Sequence, residues 1–95
     1  MLSNTPIDLK SVKNADINKE VLRVGIIAEL DAVSLYEQLA AMSDNKDIKK
    51  VFLDIAKEEK THVGEFQAML LRLDKEQVRE LEAGKKEVQK TTGKK

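Results

Sequence analysis

The sequence predicts an all-α protein, an antiparallel two-helix hairpin followed by a short C-terminal helix. Three observations carry this. One proline, at position 6, and four glycines leave long stretches of the 95 residues free of breakers. Ala, Leu, Glu, Lys and Gln dominate the middle of the chain, where apolar residues recur at steps of three and four. The polar cluster Ser43-Asp44-Asn45-Lys46 separates two such periodic segments, and so short a connection makes the helices antiparallel neighbours.

Each element has a local reason. Residues 1–13 mix polar side chains with Ile7, Leu9 and Val12 without a sustained period, which reads as an extended lead-in. Asn14 or Asp16 offers an oxygen to the free amides of a first helical turn, so the first helix is expected to start there and run to about Met42. Asp44 or Asn45 is placed to cap the second, which continues to about Leu73. Asp74-Lys75-Glu76-Gln77 has the spacing of a capping box and opens the shorter third helix, weakly apolar at Val78, Leu81 and Val88. The helical domain is thus expected over 14–90, with 91–95 a disordered tail.

Composition narrows the function. Seventeen basic and 17 acidic side chains give a formal net charge of zero, which argues against a nucleic-acid partner. No apolar run approaches the roughly 18 residues of a membrane span, and the N-terminus has neither a basic start nor an apolar h-region. No membrane partner is expected, and the chain reads as cytoplasmic. The absence of Cys removes disulfides and thiolate metal sites. With no Trp, two Phe and one Tyr, the chain lacks the bulky anchors of a small monomeric core, so association with other chains is expected.

Carboxylates interrupt both apolar stripes. The second helix is expected to face inward through Ile48, Phe52, Ile55, Glu59, His62, Phe66, Met69 and Leu73, and the first through Leu22, Ile26, Glu29, Val33, Tyr36 and Ala40. Met42 and Met69 are expected in the core. A carboxylate taken from water into an apolar seam costs several kcal/mol unless paired or bound to a metal. About a turn near residue 45, Glu29 lies sixteen positions before the centre, while Glu59 and His62 lie fourteen and seventeen after it. All three therefore meet at one height of the hairpin. A lone histidine on an apolar face is ordinarily a hydrogen-bonded core residue, but two carboxylates at its own level point to a metal. Glu on one helix and Glu-x-x-His on the next form half of a di-iron carboxylate site. The other half has to come from a second copy, in a dimeric four-helix bundle with two irons. Carboxylate and imidazole ligands suit iron or manganese, with zinc also possible.

These residues resemble the encapsulated ferritins, short ferritin-like chains that form half a bundle and dimerise across a metal site. The likeness runs over roughly residues 20–82 and is carried by Ile26-Ile27-Ala28-Glu29-Leu30-Asp31-Ala32, Tyr36-Glu37-Gln38 and Glu58-Glu59-Lys60-Thr61-His62-Val63-Gly64-Glu65-Phe66. The polar, lysine-rich tail does not resemble the family's shell-targeting peptide, which combines Gly, Leu and Ile, so the look is nearest to the ferritin-like domain fused to archaeal encapsulin. The resemblance implies a ferroxidase that oxidises Fe(II) with dioxygen for iron storage. It implies Glu29, Glu59 and His62 as the catalytic metal ligands, a decameric ring of dimers, and an encapsulin nanocompartment shell as partner and location. It further places Tyr36 beside the site, although on packing grounds that ring simply fills the seam, and makes Asp31, Glu58 and Glu65 candidates for guiding iron inward. By prior those acidic residues are a solvated face. Ala28 stands at one position where the family's outer acidic cluster is expected and Asp31 keeps another, so the resemblance implies an altered route for iron. Two other readings stand beside it. One is a metal-free four-helix interaction module; the other is a rubrerythrin-like peroxide reductase, against which the absence of a Cys-rich iron centre counts.

Overall fold

The computed structural model describes residues 8, 10 and 12–95, so the expected lead-in lies mostly outside the described residues. A 3-10 turn at Asn14–Asp16 leads into α1 (Ile17–Met42), followed by α2 (Lys46–Leu73) and α3 (Lys75–Thr92). The described residues contain no strand. Neither Asn14 nor Asp16 caps α1 with its side chain. The 3-10 turn takes over that role, and the Asp16 amide donates to the Lys13 carbonyl at 2.9 Å.

The turn between α1 and α2 is closed by side chains. Asn45 Oδ1 accepts from the amides of Asp47 and Ile48 at 3.0 and 3.1 Å, so Asn45 and not Asp44 is the cap. Across the turn, Lys49 Nζ donates to the Ala40 carbonyl at 2.9 Å, covering an end of α1 that has no basic residue of its own. These bonds fix the register of the hairpin.

Packing departs from the expected stripe in an informative way. Among the described residues, the buried apolar ones are Val33 and Ala40 on α1 and Ala56 and Leu70 on α2. Ala56 and Leu70 lie on one row of α2 with Val63, rotated from the centre of the expected stripe. Small residues at the contact let the two helices approach closely, and one neighbouring helix covers only one edge of so wide an apolar face. The other edge stays open: Ile48, Met69 and Leu73 are 46, 47 and 46% exposed. Met69 is therefore not a core residue of the chain, and neither is Met42, which is 81% exposed at the end of α1. No large side chain is fully buried among the described residues. The radius of gyration is 16.7 Å, well above the roughly 12 Å of a compact domain this size.

α3 leaves the hairpin at Asp74. The Asp74 amide donates to the Leu70 carbonyl at 2.9 Å, ending α2, while its Oδ1 accepts from the Gln77 amide at 3.0 Å, starting α3. Only this half of the expected capping box forms, because the Asp74 amide is already engaged by α2. Asp74 Oδ2 accepts from Arg23 Nη2 on α1 at 2.9 Å, and Arg23 Nη1 donates to Glu20 at 2.6 Å. Beside this joint a groove of about 350 Å³ runs between the helices, lined mainly by Ile26, Ile27, Leu70 and Leu81. Val78, Leu81 and Val88 of α3 remain largely exposed. α3 runs through Thr92, two residues past the expected boundary. There Gly93, at φ 70°, supplies the left-handed stop and donates its amide to the Gln89 carbonyl at 2.9 Å.

The Gln77 amide holds the Asp74 carboxyl below the usual aspartate range, with Lys19 and Arg23 adding to it against a desolvation penalty. A lowered folded value contributes stability above the ordinary aspartate pKa of about 3.9 and loses it as pH falls through the folded value. Asp74→Asn keeps a capping oxygen but removes the charge facing Arg23. We expect it to lower the thermal midpoint at pH 7, with the difference from wild type vanishing on acidification, as followed by circular dichroism melts between pH 2 and 7.

Candidate metal centre

α1 and α2 bring three ligand-type side chains together halfway along the hairpin. His62 Nδ1 lies 3.4 Å from Glu29 Oε2 across the seam and 3.3 Å from Glu59 Oε2 one turn away on its own helix. One ligand atom from each residue lies within 4.8 Å of the others. The carboxylates are 21 and 18% exposed, and His62, on the open edge of α2, is 44% exposed. The site is thus half walled by the chain itself and half open along the face that Ile48, Met69 and Leu73 share.

The donor set fits a divalent ion. Two oxygen or nitrogen ligands of one such ion, bound at about 2.0–2.2 Å, are at most about 4.4 Å apart, so small side-chain rotations close this triangle onto a cation. Without an ion, the arrangement places two carboxylates beside one imidazole. The His62 Nδ1 contact has a donor only in the tautomer that protonates that nitrogen. Binding metal through Nδ1 requires the other tautomer.

The remaining sequence candidates lie around this centre rather than in it. Tyr36 sits two turns along α1 from Glu29, and its ring packs against Phe52 with centroids 6.0 Å apart. No hydrogen bond joins its hydroxyl to the cluster among the described residues. Glu58 and Glu65 are exposed, one turn to either side of His62 on the α2 surface. Asp31 follows Glu29 by two residues, about 200° round the helix. Glu37 pairs with Lys60 across the seam at 3.1 Å.

Sequence reasoning placed Phe66 on the inward stripe but missed its contact with Gly25. A Cβ built on Gly25 would lie 3.2 Å from Phe66 Cδ2 and 3.3 Å from Cε2, so the ring rests directly on the α1 backbone. The available signal was a glycine in mid-helix, where no turn needs one, at the level of the aromatic across the hairpin.

An all-helical hairpin with Glu on one helix and Glu-x-x-His on the next defines the ferritin-like class of metal-carboxylate proteins. The model of the family described as Rubrerythrin matches residues 20–94. The chain belongs to the rubrerythrin family and to the encapsulated-ferritin group of ferritin-like proteins. Over 74 residues it is 58% identical to the ferritin-like–encapsulin shell fusion protein of Pyrococcus furiosus, covering 78% of this chain and 21% of that one. The encapsulin nanocompartment cargo protein EncC of Myxococcus xanthus is 39% identical over 56 residues, 59% of this chain and 43% of that one. The chain thus spans less than half the length of either curated relative. The crystal structure of the encapsulated ferritin domain from Pyrococcus furiosus superposes with a TM-score of 0.83 at 49% identity, over 98% of this chain and 97% of that one.

Metal that binds only the folded centre raises stability by mass action, by about 2.7 kcal/mol at a free concentration a hundred times the dissociation constant. Adding Co(II) under argon is therefore expected to raise the thermal midpoint of the wild type and to leave Glu59→Leu unmoved. The same variant is expected to melt above the wild type without metal, since a carboxylate leaves the seam. Differential scanning fluorimetry with and without Co(II) measures both effects.

Proposed function

We propose that the chain is a ferroxidase that oxidises Fe(II) to Fe(III) with dioxygen at a di-iron site shared between two subunits. The observation that carries this reading is the Glu29–Glu59–His62 triangle, half open along an uncovered apolar edge. Three ligands from one chain are half of what a di-iron carboxylate centre uses. A second copy laid along Ile48, Met69 and Leu73 would cover that edge in a four-helix bundle and bring its own Glu29, Glu59 and His62 to the same level.

The chemistry follows from the ligands. Two Fe(II) substrates each lose one electron, and dioxygen takes up two electrons and two protons to leave as hydrogen peroxide. The Glu29 and Glu59 carboxylates hold the substrate ions and favour the ferric product, whose higher charge and hardness match oxygen ligands. His62 supplies one neutral nitrogen, and its second ring nitrogen carries the N–H that fixes the tautomer. The low polarity of the seam strengthens the carboxylate–cation attraction relative to water.

The names of the relatives support a place for this activity: a shell fusion protein in one case and a nanocompartment cargo protein in the other. We accordingly read the product as iron stored inside an encapsulin compartment in the cytoplasm, with the chain assembled as dimers in a ring, a decamer by resemblance. No helix of the described residues is long and apolar enough to cross a membrane. The match to the Rubrerythrin model favours peroxide reduction as the second reading.

Two measurements test the proposal. Native mass spectrometry after anaerobic Fe(II) addition is expected to show about two irons per pair of chains, with the oligomer strengthened by metal; Met69→Lys is expected to shift it towards monomer. Stopped-flow absorbance of Fe(III) formation is expected to show Glu59→Ala reduced to the rate of Fe(II) alone in buffer. If the wild type oxidises Fe(II) much faster with hydrogen peroxide than with dioxygen, peroxide reduction replaces ferroxidase activity.

A further inference from the structure

We propose that Gly25 is a positioning residue for the metal centre: its missing Cβ seats the Phe66 ring on the α1 backbone and so holds Glu29 within reach of Glu59 and His62. The inference rests on the metal-centre reading above and assigns a residue to it that bears no ligand atom.

Gly25 lies one turn before Glu29 on α1, and Phe66 lies one turn after His62 on α2. Because the helices are antiparallel, the glycine and the ring occupy the layer next to the ligand layer. On the far side, Val33 lies one turn beyond Glu29 and is 9% exposed, followed by Tyr36 against Phe52. The ligands are thus clamped between two apolar layers, and the thickness of each layer sets the helix separation at the site. In the Gly25 layer the ring sits where a Cβ at position 25 would meet it at 3.2 and 3.3 Å, tighter than real Cβ atoms usually tolerate.

A methyl at position 25 forces one of two movements. Either α1 and α2 part by a few tenths of an ångström, or the Phe66 ring beside the ligand layer gives by as much. Both disturb a triangle whose closest members are 3.3 and 3.4 Å apart. Glycine is otherwise a poor choice in the interior of a 26-residue helix, where alanine is intrinsically favoured. The contrast with Gly64 is direct. It also lies mid-helix, two residues from His62, yet nothing stands within 4 Å of its built Cβ.

The test uses the full chain and two readouts. His62 is the single histidine, so its ring nitrogen and carbon-bound proton signals are unambiguous in metal-free protein. Co(II) serves as an oxygen-stable probe through its visible absorption. Gly25→Ala is expected to shift the His62 ring signals and to weaken Co(II) binding about tenfold, the range seen when a group supporting a ligand is lost. Gly64→Ala, carrying the same chemical change, is expected to do neither. Gly25→Ala with Phe66→Leu is expected to recover most of the affinity, because the smaller side chain admits the added methyl. Unchanged ring signals and affinity in Gly25→Ala, or equal effects from Gly64→Ala, overturn the proposal. If Gly25→Ala does not fold, the double variant decides: it must fold and bind Co(II), and its failure to do so also overturns the proposal. If the wild type binds no Co(II), the metal-centre reading fails instead, and the His62 ring signals still report whether Gly25 positions that side chain.

Discussion

Two carboxylates and an imidazole placed in the seam between α1 and α2 constrain everything else in this chain. An apolar trio there would let the hairpin close as an ordinary helix pair. With Glu29, Glu59 and His62 in those places, each charge needs a partner within a few ångströms, and the helices must meet in one register and at one separation. The Asn45 cap and the Lys49 bond across the turn fix the register. The small residues of the core, Ala40 and Ala56 foremost, set the separation. A register shift of one residue would carry Glu29 about 100° round its helix and break the constellation.

Much of this was legible in the sequence because it follows from local rules. Breaker-free composition, three-and-four periodicity and one polar turn suffice for the order and direction of the helices. The distances of Glu29, Glu59 and His62 from residue 45 place them at one level, where the structure has them. Periodicity does not say which edge of a wide apolar face meets the neighbouring helix of the same chain. That is why Met69, Ile48 and Leu73 read as inward but lie half exposed, whereas Ala56 and Leu70 close the contact. Small side chains carry a weak hydrophobic signal and so hide the positions where helices come closest.

Other features have no local signature. Arg23 and Asp74 are 51 positions apart, and nothing in the sequence near either foretells their bond. Asp74 is readable as the cap of α3, but its second oxygen, its burial and its tie to α1 belong to the tertiary structure. Tyr36 illustrates the converse. A resemblance places it beside the Glu29–Glu59–His62 triangle, and its ring packs on Phe52 two turns from Glu29, as a seam residue would.

The joint at Asp74 also has a mechanical meaning. α3 has 18 residues, so it is an arm of about 27 Å pivoting on one residue. A rotation of 10° in the Asp74 backbone moves the far end by about 5 Å, roughly the spacing of one helical turn. Small angular error at a single carboxylate is thereby magnified into large displacement at Gly93. The bond from Arg23 ties the base of that lever to α1.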